Sequence, residues 1–110
     1  MSHAKAEREI RYFDGVVARV REEELLDAGA LANRHGLAIC PNSAVALAGA
    51  AKLRREGVLK KDDLVVVVAT AHALKFAGAT AAYHRSGARL ANPPRRLTAT
   101  LDAVLAALGQ

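Results

Sequence analysis

Leu64-Val65-Val66-Val67-Val68-Ala69-Thr70-Ala71-His72 is the stretch that decides the fold of this 110-residue chain. An unbroken run of β-branched residues is typical of a strand that is buried on both faces, as in a parallel sheet covered by helices. The run ends at Thr70 and His72, and α/β folds bind their ligands beyond the carboxyl ends of such strands. The stretch therefore predicts one wall of a ligand crevice.

The composition is that of a small globular domain. Hydrophobic residues make up 52% of the chain and charged residues 25%, which argues against disorder. Aromatic residues make up only 4%, so the interior is expected to be aliphatic and rich in alanine. The net charge of +5 comes mainly from basic pairs beside acidic neighbours, which indicates solvated faces and argues against a nucleic-acid-binding stripe.

The sequence also bears on the cellular compartment. The single cysteine, Cys40, excludes an internal disulfide and fits a reducing compartment. No apolar run has the length of a signal-peptide core or of a membrane span. We therefore expect a soluble, cytoplasmic protein.

Predicted strands and helices alternate along the chain, which indicates the α/β class. The predicted strands cover residues 16–20, 37–40 and 63–69. The predicted helices cover residues 4–13, 21–34 and 73–85. Another helix is capped by Asn42 or Ser43 and ends near residue 56, and a last helix begins at Thr98 or Thr100. Three short strands make a poor sheet, and the apolar strand over residues 63–69 needs a neighbouring strand on each side. Residues 1–110 are therefore predicted to be a single partial domain of a larger parallel sheet.

Polar side chains follow both predicted strands of the central region. The turn Cys40-Pro41-Asn42-Ser43 and the turn Thr70-Ala71-His72 would share one sheet edge if those strands were parallel. Each residue has a plainer alternative: Asn42 or Ser43 as a helix cap, Cys40 as a small buried residue, and His72 as a structural histidine. The histidines show no metal-ligand spacing, and no phosphate-binding Gly-rich loop or nucleophile elbow is present.

The same residues resemble those of the plant-type threonine synthases. The stretch 40–59 resembles the Cys-Pro-His-Thr-Gly-Val-Ala-Leu helix of that family, and residues 65–76 resemble its Val-Val-Val-Ser-Thr-Ala-His-Gly-Leu-Lys-Phe. Asn92-Pro93-Pro94 matches its Asn-Pro-Pro, and residues 13–17 match its upstream stretch. The departures are Asn42-Ser43-Ala44 in place of His-Thr-Gly, Ala73 in place of glycine, and Arg21 where the family often has threonine.

The resemblance implies a fold and an activity. It implies the C-terminal part of the large domain of a tryptophan-synthase-like fold, which is a three-layer α/β domain of fold type II. The family consists of pyridoxal 5'-phosphate (PLP) enzymes, lyases that convert O-phosphohomoserine and water to threonine and phosphate in amino-acid biosynthesis. The resemblance matches Thr70 to the threonine whose hydroxyl faces the pyridine nitrogen of the cofactor, and Cys40, Asn42 and Ser43 to the turn beside it.

The resemblance assigns no catalytic residue to this chain. In the family, the lysine that binds the cofactor covalently and the loop that holds its phosphate both lie upstream of the matching stretch. The chain alone is therefore expected to be inactive, and its implied partner is the lysine-bearing portion of the enzyme. The alternative is a non-catalytic remnant or interaction module that associates through an exposed sheet edge. A further alternative, a nucleic-acid-binding protein, is supported only by the positive net charge.

Overall fold

The computed structural model describes residues 3–109, which form helices joined by segments without regular structure. The α-helices are α1 (His3–Tyr12), α2 (Glu22–Arg34), α3 (Pro41–Arg55), α4 (Ala77–Arg85) and α5 (Leu101–Leu108), and a 3₁₀ helix (Ala73–Phe76) precedes α4. The predicted helices are thus present, with ends close to those expected. Among residues 3–109, no helix combines the length and apolar character that crossing a bilayer requires.

Local chemistry explains where α3 begins and ends. Pro41 occupies the first turn, where its missing N–H costs nothing, and the Cys40 thiol accepts a hydrogen bond from the Ser43 N–H at 3.4 Å. Cys40, and neither Asn42 nor Ser43, is therefore the capping residue, which corrects the prediction. The helix ends before Gly57, whose φ of +77° is readily adopted only by glycine.

The core lies between α2 and α3 and consists of small side chains. Ala30 and Ala32 of α2 and Ala44 and Ala48 of α3 are buried. A methyl group added at Gly29 would lie 3.5 Å from the Ala44 Cβ, so the two helices approach each other closely. The alanine-rich interior expected from the composition is confirmed.

The predicted helix over residues 73–85 is divided into two elements. Phe76 has φ −128° and ψ 38°, which interrupts the helix between the 3₁₀ segment and α4. Downstream, the Thr100 hydroxyl accepts a hydrogen bond from the Ala103 N–H at 3.4 Å, so Thr100, and not Thr98, opens α5.

The predicted parallel sheet is not confirmed. Within residues 3–109, segments 16–20 and 63–69 join no ladder, and the stretch 37–40 makes one isolated antiparallel bridge from Ile39 to His72. The bridge consists of hydrogen bonds from Cys40 N to Ala71 O and from Ala73 N to Ala38 O, each 2.9 Å. The orientation is thus antiparallel where parallel strands were expected. The physical reason is that a strand with two apolar faces needs a neighbour on each side, and these residues supply none.

The valine segment, residues 64–69, keeps the side-chain alternation of a strand although it is unpaired. Leu64, Val66 and Val68 are 95%, 81% and 72% exposed, whereas Val65 is 44% exposed and Val67 is half-buried. Successive side chains of an extended segment point to opposite sides, so one side of the segment is better covered than the other.

The described residues do not make a compact body. Helices α1 and α5 bury no residue, and the radius of gyration is 18.1 Å, compared with about 13 Å for a compact domain of this size. The apolar face of α5, which includes Leu101 and Leu108, is exposed. Within the described residues, the packed part of the architecture is the α2–α3 pair.

Enlarging a side chain between α2 and α3 should destabilise the chain. We expect Ala44→Leu to lower the free energy of unfolding by about 1–3 kcal/mol, because the close approach of the helices leaves no room for added methylene groups. Ala46→Leu, on the exposed side of the same helix, is the matched control. Urea unfolding at one protein concentration measures both, and equal midpoints for the two variants would contradict this packing.

Candidate functional site

The structure brings the two polar turns together. The Ser43 hydroxyl accepts a hydrogen bond from the Thr70 N–H at 3.0 Å, next to the antiparallel bridge between Ile39 and His72. The thiol, the hydroxyls and the amide that the sequence placed at one sheet edge thus do share one region, here called the Cys40–Thr70 junction (residues 40, 42, 43 and 70). It is built by the bridge and the first turn of α3.

Burial divides the residues of the junction into two groups. Cys40 and Ser43 are 1% and 2% exposed, whereas Asn42 and Thr70 are exposed. The buried pair therefore shapes the junction from inside, and the exposed pair offers an amide and a hydroxyl to a ligand. A threonine hydroxyl can both donate and accept a hydrogen bond.

The Cys40 thiol is held by hydrogen bonds at the start of α3. Its Sγ lies 3.3 Å from the Ser43 Oγ and accepts from the Ser43 N–H. The Ser43 hydroxyl, followed by the Ser43 N–H, lowers the pKa of the thiol, with smaller contributions from the Asn42 N–H and the Thr70 hydroxyl, while burial opposes the shift. Cys40 is thus a buried residue with a capping role.

His72 has the structural role that the sequence offered as its alternative. Its Nδ1 accepts a hydrogen bond from the Leu74 N–H at 3.1 Å, which caps the 3₁₀ helix. The ring is exposed. His84 acts similarly, because its Nδ1 accepts from the Asn92 N–H at 3.0 Å and so ties the Asn-Pro-Pro segment to α4.

A second polar cluster was missed by the sequence reasoning. Tyr83, 7% exposed, donates its hydroxyl hydrogen to Asp27 Oδ1 at 2.5 Å, and Arg89 Nε donates to Asp27 Oδ2 at 3.0 Å. The Tyr83 oxygen also accepts from the Leu90 N–H at 3.3 Å. The cluster joins α2 to α4 and to the segment after it. Asp27 and Tyr83 are 56 residues apart, so no local spacing could reveal their contact.

The charges of this cluster follow from its contacts. The Tyr83 hydroxyl and the Arg89 guanidinium lower the pKa of Asp27, although partial burial opposes them. Burial, followed by the hydrogen bond to Asp27, raises the pKa of Tyr83. An ionised Asp27 beside a neutral Tyr83 is therefore the stable arrangement at neutral pH. A groove of about 690 Å³ lies along the cluster.

Comparison with known proteins identifies relatives that are threonine synthases. The chain is 44% identical over 97 residues to threonine synthase 2, chloroplastic, from Arabidopsis thaliana, a match to 84% of this chain and 19% of that protein. It is 37% identical over 62 residues to threonine synthase from Methanocaldococcus jannaschii, covering 56% of this chain and 15% of that protein. It is 40% identical over 72 residues to threonine synthase from Methanosarcina acetivorans, covering 64% of this chain and 18% of that protein.

These matches confirm the resemblance to threonine synthases. No protein-family model matches the chain. The chain spans less than a fifth of the length of each of these relatives.

Removing the Tyr83 hydroxyl should make the chain less stable and change its response to acid. A lowered pKa means that Asp27 contributes stability above its unfolded pKa of about 4 and loses this contribution as pH falls through the folded pKa. We expect Tyr83→Phe to cost about 1–3 kcal/mol at pH 7, and clearly less below the folded pKa of Asp27.

The matched control for this variant is Tyr12→Phe, since Tyr12 is 79% exposed. Urea unfolding across the acid range measures both variants. A destabilisation by Tyr83→Phe that is the same at neutral and at strongly acidic pH would show that the hydrogen bond to the carboxylate contributes nothing.

Proposed function

We propose that this chain, which is homologous to a segment of threonine synthases, forms the far wall of a PLP pocket in an enzyme that converts O-phosphohomoserine and water to threonine and phosphate. The observation that carries the proposal is the position of Thr70. Its side chain is exposed, and its backbone is fixed against the buried Ser43 of the Cys40 turn. A Thr70 side chain packed inside the protein would have contradicted it.

The residues at the junction fit the cofactor. A neutral threonine hydroxyl can donate a hydrogen bond to an unprotonated ring nitrogen, whereas an ionised carboxylate would keep that nitrogen protonated. When bound, the cofactor ring withdraws electrons from the substrate carbon at which bonds are broken and formed. In the proposal, Thr70 holds the ring nitrogen and the exposed Asn42 lines the same pocket. The buried Cys40 and Ser43 support both from behind.

The proposed partner is the lysine-bearing portion of the enzyme. The unpaired valine segment, the exposed faces of α1 and α5 and the extended overall shape all support a missing neighbour. That portion would contribute the lysine that binds the cofactor covalently and the loop that holds its phosphate. Residues 1–110 would then be the C-terminal segment of a large domain of tryptophan-synthase-like fold, with a parallel sheet completed by the partner. The chain alone would be inactive, and we place the complete enzyme in the cytoplasm.

A second candidate function is non-catalytic association through the valine segment. It is favoured by the exposure of Leu64, Val66 and Val68, because an unpaired apolar strand is a template for pairing with another chain. In this candidate, two copies of the chain pair along residues 64–69 and no cofactor is needed.

Cofactor binding tests the first candidate. We expect the chain mixed with the upstream portion of the Arabidopsis relative to develop the visible absorbance of lysine-bound PLP and to release phosphate from O-phosphohomoserine. Thr70→Val should weaken PLP binding about tenfold through the loss of one hydrogen bond, whereas Thr70→Ser should retain it. Thr98→Val, at another exposed threonine, is the matched control. If the mixture develops no such absorbance and releases no phosphate, the enzyme proposal is contradicted.

Self-association tests the second candidate. If copies pair along the valine segment, Val66→Lys should convert the associated species to monomer, because a charge on an edge strand opposes pairing. Val17→Lys, at a valine that is 72% exposed but lies outside the segment, should leave the association unchanged. Sedimentation velocity measures the species. A wild-type chain that is monomeric at all concentrations would end this candidate.

A further inference from the structure

The Ser43 side chain sits at the centre of the Cys40–Thr70 junction. It is 2% exposed, and its Oγ contacts both the Thr70 N–H at 3.0 Å and the Cys40 Sγ at 3.3 Å. A serine hydroxyl has one hydrogen to donate and two acceptor positions. The oxygen accepts from the Thr70 N–H, and a further hydrogen bond joins the Ser43 hydroxyl to the Cys40 sulfur, in which either group can be the donor. The hydrogen bonds therefore run without a break from the Thr70 N–H through the Ser43 hydroxyl to the Cys40 thiol.

This chain of hydrogen bonds fixes the backbone of Thr70 where the preceding backbone has no partner. Within the described residues, the backbone groups of 64–69 make no hydrogen bond to other backbone, and the bridge begins only at Ala71. Among the described residues, the Ser43 hydroxyl is thus the first hydrogen-bond partner that the backbone finds after residues 64–69. The direction of the Thr70 side chain depends on this contact, since the side chain is attached to the Cα that is bonded to the held amide nitrogen.

We infer that Ser43 is the positioning residue for Thr70, because its hydroxyl connects the thiol cap of α3 to the backbone of the residue that faces the ligand. This inference rests on the proposed function only for what Thr70 touches. The link between Ser43 and Thr70 stands on the geometry of this chain. The hydrogen bond to Thr70 gives the hydroxyl at position 43 a role, although the Ser43 side chain is buried and cannot itself reach a ligand.

The link is tested by hydrogen exchange of backbone amides, followed by NMR on the full chain. In the wild type, the Thr70 amide should exchange at least about tenfold more slowly than those of Val66 and Val68. Ser43→Ala should remove most of this protection, and Ser43→Thr, which keeps the hydroxyl, should restore it. The control is Ser86→Ala, which removes a serine hydroxyl that bonds Tyr83 O and Ala88 N elsewhere in the chain and should leave Thr70 unaffected.

The consequence for the cofactor is measured in the mixture with the upstream portion of the Arabidopsis relative. Ser43→Ala should weaken PLP binding by up to about tenfold, in the same direction as Thr70→Val, and Ser43→Thr should return it to the wild-type value. Rescue by threonine separates positioning by the hydroxyl from a general loss of packing, because threonine is larger than serine and alanine is smaller.

The outcomes distinguish this inference from the proposed function. Equal exchange of the Thr70 amide in the wild type and in Ser43→Ala overturns the inference, whatever Thr70→Val does to PLP binding. If exchange of the Thr70 amide depends on Ser43 but Thr70→Val does not change PLP binding, the proposed function is contradicted. The positioning role of Ser43 is then retained. If Ser43→Ala does not fold, the wild-type comparison decides, because a Thr70 amide that exchanges as fast as that of Val66 overturns the inference.

Discussion

The need of every backbone N–H and C=O for a hydrogen-bond partner governs this chain. Groups removed from water without a partner cost free energy, and the backbone of the valine segment finds no other backbone to pair with among residues 3–109. Side chains as apolar as those of 64–69 favour burial, while their unpaired backbone prevents it. The segment therefore remains unpaired within the described residues. The exposure of its side chains and the proposed partner both follow from this conflict.

The junction shows how the residue proposed to face the cofactor is held although its segment joins no sheet within the described residues. The first turn of α3 is fixed by Pro41 and by the thiol of Cys40, and the buried Ser43 hydroxyl extends from this turn to the backbone of Thr70. Consecutive hydrogen bonds thereby connect a helix cap to Thr70, the residue proposed to face the cofactor. Small side chains make this possible, since α2 and α3 pack through alanine and bring the turn close to the bridge.

Local features of the sequence predicted the helices well, because their signals lie within a few residues of each other. Gly57 has the positive φ expected of a residue that ends a helix, and Thr100 caps α5. The Cys40 and Thr70 turns do meet, but through an antiparallel bridge and the Ser43 hydroxyl, where the sequence predicted the common edge of parallel strands. The predicted strands over residues 16–20 and 63–69 are not formed, because no other strand among the described residues pairs with their backbone.

The Asp27–Tyr83–Arg89 cluster lay beyond sequence reasoning for another reason. Its members meet only when α2 and α4 pack, and nothing in the spacing of a lone tyrosine and a distant aspartate marks them as partners. The capping thiol was likewise missed. Cysteine is a weaker acceptor than the hydroxyl or amide groups that usually occupy that position.

In the proposed assembly, pairing at the open edges of the valine segment makes the stability of this chain depend on concentration. Any molecule that pairs with residues 64–69 in the folded state and not in the unfolded state shifts the folding equilibrium by mass action, in proportion to the logarithm of its free concentration above its dissociation constant. A midpoint of thermal or chemical denaturation then describes the mixture as a whole. Folding and assembly would in this sense be one equilibrium in the proposed assembly, with the population of native molecules rising with the supply of the pairing strand.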